Sequence, residues 1–121
     1  MNILLIENED LLAENIKIYF ESQSGIVIQH KKSSVEALTC LEQGNYDVLI
    51  TDLDLIDARG IGWLKKISRQ RPDLKIIVIS AHNQNDWIQD SDHFDVLGYF
   101  EKPFDINQLY QQIKKINNVV I

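Results

Sequence analysis

The chain has 121 residues, 45% hydrophobic and 25% charged, the length and composition of one ordinary globular domain. Eighteen acidic against twelve basic residues leave a formal charge of -6, which repels phosphate backbones and argues against direct nucleic-acid binding by this domain. No apolar run reaches the ~20 residues of a membrane span, the N-terminus lacks the basic stretch and apolar core of a signal peptide, and the lone Cys40 cannot form an internal bridge. The expectation is a soluble, reducing, cytoplasmic setting and a single domain over 1–121.

The first apolar run, residues 3–6, reads as a buried strand and ends in Glu7, Asn8, Glu9 and Asp10. Leu12, Ile16, Tyr19 and Phe20 then recur at helical spacing and make one amphipathic helix. A second strand at 26–28 ends in Gln29 and His30, which suggest no chemistry. Ser33 and Glu36 form a capping box for a second helix, and Gly44 suits the left-handed position after its end. The third strand, 48–51, runs into Asp52. Ile61, Leu64 and Ile67 mark a third helix that must stop before Pro72. The eleven-residue stretch that holds Lys65, Lys66, Arg69, Arg71 and Lys75 reads most simply as a solvated helix end favoured by the dipole, with an acidic docking partner as the alternative.

The fourth strand, 75–80, ends in Ser80. A weak, acidic helical segment spans 86–94, and a fifth strand at 98–100 leads to Lys102 and Pro103. The last helix starts at Asp105, with Gln108 three positions on and an apolar face of Ile106, Leu109, Tyr110, Ile113 and Ile116. Continuous apolar strands alternating with helices five times, without linker or repeat, predict an α/β doubly wound fold whose parallel sheet is covered on both faces.

Ligands of such sheets bind outside the carboxyl ends of the strands. Four of the five runs end there in acids, a hydroxyl or a lysine, a set suited to phosphoryl chemistry: a carboxylate can act as nucleophile while the other groups balance charge. The acids suit Mg²⁺, which takes oxygen ligands and keeps waters. Any single polar strand end is ordinary, since strand ends meet solvent. A lysine at the core edge beside a proline is the least expected member unless it is paired. His30, His82 and His93 have no ligand spacing with one another or with Cys40, which argues against zinc. Trp63 and Trp87 read as partial core before partner contacts.

The segments ILLIENED, DVLITDLDL, KIIVISA and GYFEKPF, in that order and spacing, resemble the receiver domain of bacterial two-component response regulators over essentially the whole chain. The resemblance implies a flavodoxin-like (βα)5 sheet of strand order 2-1-3-4-5. It makes Asp52 the aspartate that takes a phosphoryl group from a sensor histidine kinase or phosphotransfer protein, with Ser80 and Lys102 binding the new oxygens. Glu7 and Asn8 fall on the Mg²⁺-holding acidic pair, and Asp54 contributes its backbone carbonyl. Tyr99 is the switch aromatic that turns inward with Ser80, and the Lys102–Pro103 bond is cis. Output passes to a partner or an output domain beyond residue 121 through the face of the fourth predicted helix, fifth strand and fifth helix.

The chain departs from this pattern at three places. Asn8 replaces an aspartate ligand, so metal binding is expected to weaken, because an amide oxygen carries a dipole and no full charge. Ile56 stands where a proline is usual and Arg59 where an acid precedes Gly60, which implies a freer loop; Arg59 aimed at the phosphate is the more specific alternative. Asp54 and His82, two residues past Asp52 and Ser80, occupy the variable positions that tune hydrolysis. Two other functions compete with the switch. A pseudo-receiver would keep the fold as a binding module without taking phosphate. A haloacid-dehalogenase-like phosphohydrolase would use the Asp52-x-Asp54 pair, but such enzymes carry the nucleophile on the first strand. The expectation is a phosphoacceptor switch with limited autophosphorylation and self-dephosphorylation, and not an enzyme proper.

Overall fold

The computed structural model describes residues 1–23, 25–58, 61–83 and 96–119, with side chains to residue 116. Arg59, Gly60 and the helical segment expected at 86–94, with Trp87 and His93, lie outside the described residues. Five strands, β1 (Asn2–Ile6), β2 (Val27–Lys31), β3 (Val48–Asp52), β4 (Lys75–Ser80) and β5 (Gly98–Glu101), form one sheet of order β2-β1-β3-β4-β5. Every pairing is parallel, and the expected doubly wound, flavodoxin-like order is the observed one. The second strand begins one residue later than predicted and extends through Gln29 and His30 to Lys31. As an edge strand it pairs only with β1, and its alternating burial differs from the continuous burial of β3.

Four helices are described: α1 (Asp10–Glu21), α2 (Ser34–Gln43), α3 (Gly62–Gln70) and α4 (Ile106–Val119), the last being the fifth one predicted. Because strand side chains alternate, β1 sends Ile3 and Leu5 to one face and Leu4 and Ile6 to the other. Ile3 and Leu5 join Val48, Ile50, Ile77 and Ile79 under Ala13, Ile16 and Phe20 of α1 and Leu109 and Ile113 of α4. Leu4 and Ile6 join Leu49, Ile76 and Val78 under Ala37 and Leu41 of α2 and Leu64 and Ile67 of α3. The central strands are thus buried on both sides, which is why their sequences are continuously apolar.

The helix ends show how local sequence and distant contacts divide the capping. Ser33 Oγ accepts from the Glu36 amide at 3.1 Å, as the box predicts, while Glu36 Oε1 takes the Ser33 hydroxyl at 3.1 Å. The next two amides of α2, of Ser34 and Val35, donate instead to the carboxylate of Asp57 at 2.9 and 3.1 Å, and the Ser34 hydroxyl adds a third bond at 2.9 Å. Asp57 therefore ties the loop after β3 to the start of α2, and the Leu55 amide donates to the Ala58 carbonyl at 3.0 Å. Around Ile56, the carboxylate of Asp57 accepts from Ser34 and Val35 and the Leu55 amide donates to the Ala58 carbonyl, contacts that hold this side of the loop without a proline. The expectation for Gly44 is corrected. Its φ of -145° is extended and not left-handed, and the helix closes through its amide on the Cys40 carbonyl.

Candidate functional site

Register brings the polar strand ends to one edge. Ile6 pairs with Thr51, so Glu7 and Asp52 leave the sheet side by side. Asp52 pairs with Ile79 and Ser80 with Glu101, which sets Ser80 beside Asp52 on one side and delivers Lys102 just past the edge on the other. Glu7, Asp52 and Ser80 are buried, with Glu7 and Ser80 fully inaccessible to solvent.

Lys102 organises this pocket. Its Nζ lies 2.8 Å from Glu7 Oε1, 2.8 Å from Glu9 Oε2 and 2.9 Å from Asp52 Oδ2. The contacts to Glu9 and Asp52 are aligned hydrogen bonds. The contact to Glu7 Oε1 is close in charge but off the bonding direction, so that buried oxygen has no aligned donor. Glu7 Oε2 accepts from the Glu9 amide at 2.8 Å. Burial pushes the Glu7 carboxyl above its ordinary pKa, and Lys102 and the Glu9 amide only partly oppose this. Burial alone would lower Lys102, but its bonds to Glu7, Glu9 and Asp52 prevail and hold the ammonium above its ordinary pKa. The Lys102–Pro103 peptide is cis, and the Lys102 amide donates to the Ser80 carbonyl at 2.6 Å.

Around this core, Asp52 Oδ1 accepts from the Asp54 amide at 2.9 Å and Ser80 Oγ accepts from the His82 amide at 3.0 Å. Tyr99 is half-buried against the core on the α2–α3 side, and its hydroxyl donates to the His82 carbonyl at 3.0 Å, which links Tyr99 to the Ser80 loop. Glu7, Asp52, Ser80, Lys102, Asp54, His82 and Tyr99 therefore gather in one connected group. Asn8 is exposed. Two residues were missed from sequence. Glu9 gives Lys102 a further carboxylate contact, at 2.8 Å. His30 donates from Nε2 to the Glu7 carbonyl at 2.7 Å. The polar run after β1 flagged Glu9 without singling it out, and nothing local marked His30.

The donor set is oxygen only, namely the carboxylates of Glu7, Glu9 and Asp52 with nearby carbonyls, which suits a hard dication. Among the described residues, no three His, Cys, Asp or Glu side chains are placed to share a metal ion. Nor is any described helix long and apolar enough to cross a membrane.

A flavodoxin-like sheet with a carboxylate–lysine pocket at its carboxyl edge defines a class of α/β signalling switch. The chain belongs to the response regulator receiver domain family, whose model matches residues 3–114. It is 26% identical over 121 residues to the sensory transduction protein LytR of Staphylococcus haemolyticus, covering 99% of this chain and 46% of that one. It is 28% identical over 83 residues to the sporulation initiation phosphotransferase F of Bacillus subtilis, covering 69% and 67%. Among solved structures, the response regulator TrrA of Thermotoga maritima in complex with Mg(2+)-BeF superposes with a TM-score of 0.80 at 26% identity, over 94% of this chain and 96% of that one. The chain spans less than half of the LytR relative and a smaller part of some others.

Proposed function

We propose that this receiver domain accepts a phosphoryl group on Asp52 from a cytoplasmic sensor histidine kinase or phosphotransfer protein and thereby switches a partner-binding face. The observation that carries the reading is the convergence of buried Asp52 with Lys102 Nζ at 2.9 Å, beside Ser80. An Asp52 carboxylate oxygen attacks the donor phosphorus in line, the O–P bond forms, and the donor nitrogen leaves with its electron pair. Lys102 turns from the carboxylates to a phosphoryl oxygen. Ser80 Oγ, already accepting from the His82 amide, donates its hydroxyl proton to another. A magnesium ion, when bound by Glu7, Asp52 and the Asp54 carbonyl with Asn8 as a weak neutral donor, supplies positive charge to the transferring oxygens.

Displacement of Ser80 pulls on the loop that Tyr99 holds through the His82 carbonyl, so phosphorylation reaches Tyr99 and β5 by a two-state shift. Asp54 and His82, adjoining the two reacting side chains, set access of water and so the lifetime of the acyl phosphate; Arg59 is the third candidate for that role. The partner-binding face is the fourth predicted helix, β5 and the last helix, serving an output domain or a separate protein. The phosphohydrolase reading loses ground because Asp52 ends the third strand and not the first. The pseudo-receiver reading draws on exposed Asn8 and on the ammonium that stands between the acids.

Incubation with a small phosphodonor, with and without Mg²⁺, followed by intact mass, tests the assignment. A Mg²⁺-dependent phosphoryl adduct absent from Asp52→Asn is expected. No adduct and no response to beryllofluoride would make the domain a pseudo-receiver.

A further inference from the structure

Two carboxyl-edge segments meet at the start of α2, and only one of them belongs to the helix. Ser33 and Glu36 cap each other, which satisfies the Glu36 amide locally. The amides of Ser34 and Val35 go instead to Asp57, 23 and 22 positions away, whose carboxylate accepts them at 2.9 and 3.1 Å and takes the Ser34 hydroxyl at 2.9 Å. Water serves such amides at exposed helix ends. The needs of α2 therefore do not by themselves account for a carboxylate that reaches it from another loop.

The loop that carries Asp57 begins at the acceptor. Asp52 Oδ1 accepts from the Asp54 amide at 2.9 Å, and the Leu55 amide closes a turn on the Ala58 carbonyl at 3.0 Å. Leu53 and Leu55 sink into the core beneath α2 and α3. Ile56, at the place where the receiver pattern has a proline, is 91% exposed and has no such anchor. A proline would fix one backbone angle there, whereas isoleucine leaves it free. The next residue, Asp57, is the one that ties the chain to α2, so a single short loop joins the acceptor carboxylate to the first turn of that helix.

Resting on the phosphoacceptor reading above, we propose that Asp57 is a positioning residue for Asp52: its clamp on α2 holds the loop so that the Asp54 amide orients the acceptor carboxylate, and it makes the first turn of α2 register the state of Asp52. The two effects are one coupling. A contact that favours the phosphorylated acceptor is itself altered when the acceptor is occupied, because coupled equilibria are reciprocal. This route leaves the acceptor on the α2 side, apart from the one that runs through Ser80, His82 and Tyr99.

The rate at which acetyl phosphate with Mg²⁺ labels the full chain, read by intact mass, tests the positioning. Asp57→Ala should slow labelling by about tenfold or more, since a misplacement of ~1 Å costs up to about a hundredfold. Ser33→Ala is the control. It removes the local cap of α2 at a comparable cost in stability, leaves the clamp untouched, and should label at the wild-type rate. Thermal unfolding verifies that both variants are folded at the assay temperature. Wild-type labelling of Asp57→Ala, or equal slowing in the two variants, would overturn the proposal.

A second measurement starts from wild type alone. With saturating beryllofluoride and Mg²⁺, the amide resonances of Ser34 and Val35 should shift together with those of Asp54 and His82. In Asp57→Ala the response at Ser34 and Val35 should vanish while Asp54 and His82 still respond. Resonances of Ser34 and Val35 that stay in place in wild type, or that still move in Asp57→Ala, sink the coupling and leave the phosphoacceptor reading intact. Neither adduct nor beryllofluoride response in wild type sinks the phosphoacceptor reading and the role of Asp57 with it.

Discussion

Replacing Lys102 with Met removes the cation that Glu7, Glu9 and Asp52 share while keeping most of the side-chain volume. Glu7 is fully buried and Asp52 is 4% exposed, so the variant leaves two carboxylates desolvated and facing each other. Removing one partner of a buried ion pair typically costs about 3–5 kcal/mol. The contact to Glu9, which is 61% exposed, adds no more than about 1 kcal/mol because solvent screens it. Neutralisation of Glu7 limits the damage, since burial already raises its pKa and loss of the ammonium raises it further. The expected loss is therefore about 3 kcal/mol at mildly alkaline pH.

The sign of its pH dependence follows from proton binding. Above the ordinary value of 4.5, native Glu7 holds a proton that the unfolded chain has released, so stability of the variant falls as pH rises toward the raised native value. Wild type loses the Lys102 contribution only at the other extreme, as pH climbs above 10.5 through the still higher native value. Urea unfolding followed by circular dichroism at about pH 5 and about pH 8 reads the difference. Equal stability of the two proteins at the higher pH, or a deficit of the same size at both, would refute the account of the pocket as acids held by one lysine.

Asp57→Ala strips the Ser34 and Val35 amides and the Ser34 hydroxyl of their acceptor. Loss of such a cap should cost about 1–2 kcal/mol, read by thermal unfolding. Burial, the largest single influence, raises the Asp57 carboxyl, but its hydrogen bonds to Ser34 and Val35 together prevail and lower its pKa, so the stabilisation is present above 3.8 and disappears as pH falls through the native value. The gap between Asp57→Ala and wild type should therefore close in acid, and a gap that persists there would show that the carboxylate is not the cause. In the centre of the sheet, Leu49→Ala should cost about 2–5 kcal/mol in urea unfolding, since the site is fully buried between strands and helices and cannot collapse; a loss under ~1 kcal/mol would contradict that packing.

The elements were legible because each is written in local periodicity: apolar runs for β1, β3 and β4, an i, i+4 stripe for α1, and the Ser33–Glu36 box for α2. Parallel order and coverage of both faces followed from continuous strands separated by helices. The edge strand was read short because Gln29 and His30 are polar, and alternation on a strand with one covered face looks like the end of a strand. Gly44 was misread because a glycine after a helix is compatible with several conformations, and the packing of Tyr46 against it fits an extended backbone.

By itself the sequence determined which residue types would stand at the carboxyl edge, because a strand that must be apolar throughout can turn polar only where it leaves the core. What it could not determine was which of those groups meet. Lys102 joins Asp52 across 50 positions and Glu9 across 93, and His30 reaches the Glu7 carbonyl across 23. Such pairings are set by sheet register and by the path of the loops, and no local pattern encodes them. Tertiary structure alone brought Glu9 to Lys102 and left Asn8 exposed, because an ammonium draws a charged oxygen before a neutral one.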